Sequence, residues 1–175
     1  ELSWSPPTLG RFVYSASGAG RDYDLYLDTG SALSVSPGTD GGPAWSPTGD
    51  TIVFTSARTG QGDLYALDVG DLDQPPRRIT SAPTTSEVFA AWAPDGRSLV
   101  FVGHDDSGDN LYLVDDVGQP RPRQLTGWER TQTRPAFSPD GRSIAFYSNH
   151  VEPDRFDLYI LPLGGQPRRM AQDVL

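Results

Sequence analysis

Two histidines and a surplus of carboxylates are the residues with which this chain could do chemistry. His104 opens the run His104-Asp105-Asp106-Ser107-Gly108-Asp109, and His150 stands two residues before Glu152. Imidazole and carboxylate side chains together ligate divalent cations, which makes His104, Asp105 and Asp109 weak candidate metal ligands. The run lacks both the full spacing and the terminal Glu of an EF-hand loop, so a solvated acidic loop is the preferred reading and no metal is expected. Neither histidine has a serine and a carboxylate in a recognisable triad constellation, and the chain holds no Gly-x-Ser-x-Gly elbow. A Gly-rich phosphate loop and a zinc pattern are also missing. The expectation is a non-catalytic protein without a cofactor.

One further set of polar residues invites a catalytic reading: Asp24, Asp63, Asn110 and Asp157, each opening an Asx-Leu-Tyr triplet. Recurrence argues the other way. A residue repeated in every unit of a repeat is structural, and here it is expected to satisfy turn amides before the strand that follows. Asp95 and Asp140, each in a Pro-Asp-Gly turn, fall in the same class.

The elements that position these residues come from an internal repeat. Four segments align: Trp4-Ser-Pro-Pro-Thr-Leu-Gly-Arg-Phe-Val-Tyr-Ser, Trp45-Ser-Pro-Thr-Gly-Asp-Thr-Ile-Val-Phe-Thr-Ser, Trp92-Ala-Pro-Asp-Gly-Arg-Ser-Leu-Val-Phe-Val-Gly and Phe137-Ser-Pro-Asp-Gly-Arg-Ser-Ile-Ala-Phe-Tyr-Ser. Their aromatic anchors lie 41, 47 and 45 residues apart. A period in the forties with several short strands per unit is the signature of propeller blades. Each unit parses into a short strand a ending at the aromatic (Pro43-Ala-Trp45), a turn in which Pro presets φ and Gly tolerates the left-handed region, and an alternating strand b. A polar loop, the Leu-Tyr strand c and an Arg-bearing strand d complete it. Paired arginines on an outer strand discourage edge-to-edge pairing with another chain. No window keeps helical apolar spacing over ten residues without a Pro or Gly.

Composition agrees. The 19 glycines and 16 prolines would suggest disorder if scattered, but here they punctuate strands. Asp outnumbers Glu 19 to 4, a bias towards tight turns and away from helices. A net charge of −9 repels phosphate backbones, so no nucleic acid partner is expected. The absence of cysteine excludes disulfides within the chain. No apolar run approaches the roughly 18 residues of a membrane-spanning helix, so membrane insertion is not expected, and the segment from Glu1 reads as mature fold with no signal peptide in view.

The Trp-Ser-Pro-Asp-Gly-Arg…Phe and Asp-Leu-Tyr echoes resemble the WD40-like, SPDG-containing repeats of TolB-type propellers, which also occur in prolyl-oligopeptidase-type and tricorn-type proteases. The resemblance covers nearly the whole chain and is best in the third and fourth units. In the first unit Pro6-Pro-Thr-Leu-Gly10 stands where Pro-Asp-Gly is expected. The resemblance implies an all-β fold, a β-propeller made of four-stranded antiparallel blades, with about four blades in one unit over residues 1–175 (blades about 1–40, 41–86, 87–132 and 133–175). Such propellers usually have six or more blades. An excised part of a larger propeller, a compact four-bladed ring and two half-rings joined as a homo-oligomer therefore all remain open.

In a propeller, d–a and b–c loops emerge together at the mouth of the channel. The d–a loops are placed at Pro37–Gly42, Ser81–Ala90 and Gly127–Arg134, the b–c loops at Ala57–Gly62, Gly103–Asp109 and Asn149–Arg155. Variable loops on a rigid frame are where specificity tends to reside. Asp40, Glu87 and Gln132 occupy equivalent positions and are expected either to form a polar rim that meets a partner or to cap the loop. Trp128, flanked by Arg130 and Arg134, has the composition of a binding hot spot, with packing over the blade edge as the alternative. The function expected is a scaffold presenting its loop face to a protein or peptide. The gating propeller of a larger serine peptidase and a structural subunit of an assembly are the alternatives. Family resemblance implies a periplasmic or extracytoplasmic, bacterial setting.

Overall fold

The computed structural model describes residues 1–17, 22–81, 86–105 and 108–174, except for the side chain of Asp105. Asp106, Ser107 and part of the expected Ser81–Ala90 loop therefore lie outside the described residues. The described residues form sixteen strands in four antiparallel four-stranded sheets, each in sequential order. The first sheet comprises β1 (Leu2–Trp4), β2 (Phe12–Ser17), β3 (Tyr23–Leu27) and β4 (Ala32–Ser34). The second comprises β5 (Asp40–Trp45), β6 (Thr51–Ser56), β7 (Asp63–Asp68) and β8 (Arg77–Arg78). The third holds β9 (Ser86–Trp92), β10 (Leu99–Asp105), β11 (Gly108–Val114) and β12 (Arg123–Gln124). The fourth holds β13 (Gln132–Phe137), β14 (Ser143–Glu152), β15 (Arg155–Pro162) and β16 (Arg168–Ala171). The chain divides into two compact units, Glu1–Ala90 and Ala91–Leu175, the division falling within β9.

The repeated turn does the same work in each sheet. Strands a and b are closed by Ser46 N–H to Thr51 C=O at 2.8 Å, Ala93 to Ser98 at 2.9 Å and Ser138 to Ser143 at 2.8 Å. Gly49, Gly96 and Gly141 take φ of 82°, 67° and 69°, a region closed to most side chains. The degenerate first unit reaches the same closure with Ser5 N–H to Arg11 C=O at 2.8 Å. As at Ser46 and Ser138, the serine hydroxyl accepts from the amide across the turn, here Arg11 N–H to Ser5 Oγ at 2.9 Å.

Alternation within strands decides which side chains are buried. In the first unit Val13, Leu25 and Leu27 of the first sheet form one cluster with Trp45, Ile52, Phe54, Tyr65 and Leu67 of the second. Within the second unit Ile144 and Phe146 are fully buried and Tyr159 nearly so. Each such side chain contributes about 1.5–3 kcal/mol relative to exposure.

Three boundaries differ from the sequence reading. Strand a begins at the polar residue, not at the Pro, because a β-bulge between Gly41 and Ala44 (and between Thr133 and Ala136) lets pairing resume upstream. The Asn149–Arg155 loop shrinks to a tight hairpin, since β14 and β15 extend to pair Glu152 with Arg155. Likewise β10 and β11 extend to pair His104 with Asp109 and Asp105 with Gly108.

Candidate binding surface

Asp40, Glu87 and Gln132 do occupy equivalent positions, at or next to the start of strand a. They are not a solvent rim, however: their relative exposures are 0%, 2% and 0%. Each instead receives a hydroxyl from the strand-d segment of the preceding sheet. Ser34 Oγ donates to Asp40 Oδ2 at 2.6 Å, Thr80 Oγ1 to Glu87 Oε2 at 3.1 Å and Thr126 Oγ1 to Gln132 Oε1 at 2.8 Å. The two threonine hydroxyls also accept from strand c, from Leu64 N–H at 2.8 Å and Leu111 N–H at 2.9 Å. A buried polar group must be paired to be tolerated, so these contacts clasp one sheet to the next. Around Asp40 the clasp is charged: Arg58 Nη2 donates to Asp40 Oδ2 at 3.0 Å and to Ser34 Oγ at 2.7 Å, and its guanidinium lies 4.6 Å from the Tyr65 ring centroid. Gln132 fills the role without charge, its Nε2 donating to the Arg130 carbonyl.

Two residues beyond each clasp the backbone turns left-handed. Gly42, Phe89 and Arg134 have φ of 57°, 54° and 50°. This suits Gly42 but costs an L side chain on the order of 1 kcal/mol. The side chains at this point face solvent: Phe89 is 43% exposed, and Arg134 is exposed. Each of these left-handed points thus presents one variable group beside a buried clasp. The sequence places Phe89 within the Ser81–Ala90 loop without singling it out. Its only sequence signal is alignment with Gly42, the second glycine of Asp40-Gly-Gly. In the first unit Thr39, Gly41, Gly42, Thr55, Val88 and Phe89 line a half-open, mainly apolar recess of about 200 Å³. There Thr55 Oγ1 donates to the Glu87 carbonyl at 2.8 Å.

Trp128 is half-buried. Its ring stacks on His150 at 4.2 Å and 16°, with Tyr159 and Phe146 at 5.1 and 5.8 Å, while the backbone N–H of Trp128 donates to Asn110 Oδ1 at 3.0 Å. It therefore packs over the fourth sheet and keeps one part in water, with Arg130 exposed two residues on. Two of the repeated Asx residues, Asn110 and Asp157, do satisfy backbone amides, but these follow strand d and do not precede strand c. Asn110 accepts from Trp128 N–H, and Asp157 Oδ1 accepts from Asp173 N–H at 3.0 Å. That amide, with the Arg169 hydrogen bond, holds the Asp157 carboxyl below its ordinary value despite burial. Asp63 pairs with Arg78 at 2.8 Å.

His104 and Asp109 are joined by a hydrogen bond through Nδ1, across the β10–β11 pair. Among the described residues no three His, Asp or Glu side chains come together as a metal site would require.

No family model matches the chain. Over 85 residues, 47% of the chain, it is 33% identical to the uncharacterized protein Atu1656 of Agrobacterium fabrum, of which the match spans 28%. Among solved structures, a TolB-type protein from Agrobacterium tumefaciens is similar with a TM-score of 0.79 and 22% identity, over 97% of this chain and 60% of that one. TolB from Acinetobacter baumannii gives 0.76 and 22%, over 100% and 44%. A puromycin-hydrolyzing peptidase from Mycobacterium tuberculosis gives 0.73 and 12%, over 98% and 28%. The chain thus spans less than two thirds of each of these proteins. At such identities the structural likeness is one of fold: all-β, built of four-stranded antiparallel propeller blades like those of TolB.

Proposed function

We propose that this chain is a non-catalytic, TolB-like scaffold that binds a protein or peptide through its strand-a bulges and d–a loops. The observation that carries this reading is the left-handed backbone point repeated two residues beyond each clasp, at Gly42, Phe89 and Arg134. Strain in a non-glycine backbone persists where its surroundings over-determine it, and it gathers at binding sites. Phe89 and Arg134 differ in chemistry at equivalent points, as specificity-bearing positions on a repeated frame do. Trp128, Arg130 and Arg134 supply an aromatic and cationic set of the kind enriched in hot spots. Asp40 and Glu87 in the first compact unit and Gln132 in the second act from behind, each by holding its own left-handed point in place without touching the partner. The resemblance to TolB supports an extracytoplasmic setting.

The test is site-specific photo-crosslinking in source-cell extract, with the reactive residue at position 89, 134 or, as control on a c–d turn, 163. Protein adducts at 89 or 134 and none at 163 are expected. Equal labelling at all three positions would overturn the reading.

A second reading, the propeller domain of a larger peptidase, is supported by the likeness to the Mycobacterium tuberculosis peptidase, of which this chain spans 28%. A Gly-x-Ser-x-Gly hydrolase domain in the same reading frame would establish it, and a frame without one would eliminate it.

A further inference from the structure

The four sheets share one pattern of faces, and at two places that pattern is left uncovered. Cross-strand pairing puts Leu2, Trp4, Phe12, Tyr14 and Tyr26 on one face of the first sheet. The rings form a continuous run: Trp4 to Phe12 at 5.2 Å, Phe12 to Tyr14 at 6.0 Å and Tyr14 to Tyr26 at 5.8 Å. Yet Trp4 is 65% and Leu2 60% exposed, and the other three are half-buried. Their equivalents in the second sheet, Trp45, Ile52, Phe54 and Tyr65, are 0–7% exposed. What covers those four is known from the first unit: the aliphatic face Val13, Leu25 and Leu27 of the neighbouring sheet.

The counterpart aliphatic face in the fourth sheet is Ala145, Leu158 and Ile160, by the same register. All three are half-buried, whereas Val13 and Leu25 are fully buried and Leu27 nearly so. One molecule therefore carries, on different sheets, a largely exposed aromatic half and an incompletely covered aliphatic half of the interface that its own first and second sheets make.

We propose that these faces are the two halves of a heterologous interface through which copies of this chain associate head to tail. Contiguous exposed apolar surface marks an interaction site, and stacked repeats cover each such face with the complementary face of the next repeat. Here that complement is present on the chain itself, and its chemistry is already matched residue by residue. Because the two halves differ, the contact is heterologous and not a self-complementary two-fold. Ala171 stands where Thr80 and Thr126 supply the clasp hydroxyl. The contact consequently lacks this clasp, and the extent of association should follow protein concentration. This inference does not depend on the binding function proposed above.

The experiment is sedimentation velocity over a wide concentration range on the wild-type chain, Trp4→Asp, Leu158→Glu and an equimolar mixture of the two variants, with circular dichroism as the folding control. Ala171→Arg, on the same face as Leu158, replaces Leu158→Glu if that variant does not fold. The wild type should rise with concentration from 19.0 kDa to at least twice that mass. Each variant alone should remain monomeric. The mixture should recover a one-to-one pair and nothing larger, since only one intact contact can form. A wild type that stays monomeric throughout would overturn the proposal, leaving the faces to be covered by something other than this chain. Association that survives Trp4→Asp, or a mixture that does not pair, would overturn it equally.

Discussion

Asp40, Glu87 and Gln132 show one geometric task met by three chemistries. Each must accept a buried hydroxyl, and Asp40 does so while also paired with the Arg58 guanidinium. Removing one member of a buried pair strands the other, at about 3–5 kcal/mol. Arg58 retains 19% side-chain exposure, so Asp40→Ala is expected at the lower end, about 3 kcal/mol, by denaturant unfolding. Asp40→Asn should cost clearly less, because Gln132 shows that a neutral amide serves. Equal losses for the two variants would mean that charge, and not hydroxyl acceptance, is what the site requires. The bulge residues give a prediction of opposite sign. Arg134 carries φ of 50°, so Arg134→Gly relieves left-handed strain and should raise stability by up to about 1 kcal/mol while weakening partner binding. A destabilised glycine variant would show that the Arg134 side chain contributes more to the fold than its backbone costs.

Turns at the scale of a single element link the repeat to pH. In Asp95 burial works to raise the carboxyl, but the amides of Ser98 and Arg97 outweigh it, and the result is a carboxyl below its ordinary value of 3.8. Asp140 is lowered chiefly by the Ser138 hydroxyl and the Arg142 amide, and Asp50 chiefly by the Thr48 hydroxyl. A carboxyl lowered in the folded state binds its proton less readily than in the unfolded chain. Its stabilisation is complete above 3.8 and disappears as pH falls through the folded value. Thermal unfolding should therefore show a steep loss of stability below about pH 4. Asp140→Asn should flatten that slope while lowering stability at neutral pH. An unchanged acid limb in the variant would remove this turn from the account.

Charge belongs to the whole molecule. A net of −9 on 175 residues favours a partner with basic patches and speeds its encounter. Affinity for any partner captured at the bulges should fall as salt rises to several hundred millimolar, where the screening length drops to a few ångströms. Titration calorimetry that finds salt-independent affinity would confine recognition to the apolar and aromatic groups, Phe89 and Trp128 foremost.

The repeat by itself determined the four sheets, their strand order and the turn chemistry, because Pro-Asp-Gly and the alternation around Phe54, Phe101 and Phe146 act over a few residues and leave a local trace. The structural role of Asp63, Asn110 and Asp157 was also legible, since recurrence alone marks it. Tertiary structure decided the rest. Whether Asp40 faces water or a serine depends on where strand d of the preceding sheet passes, which no local pattern encodes. Trp128 packs over the sheet because Phe146, Tyr159 and His150, many residues downstream, lie beside its ring, a contact that the sequence around it does not record. Phe89 lies in the expected Ser81–Ala90 loop, but its positive φ and its exposure follow from how the chain passes from the buried Glu87 into strand a, which no local pattern records.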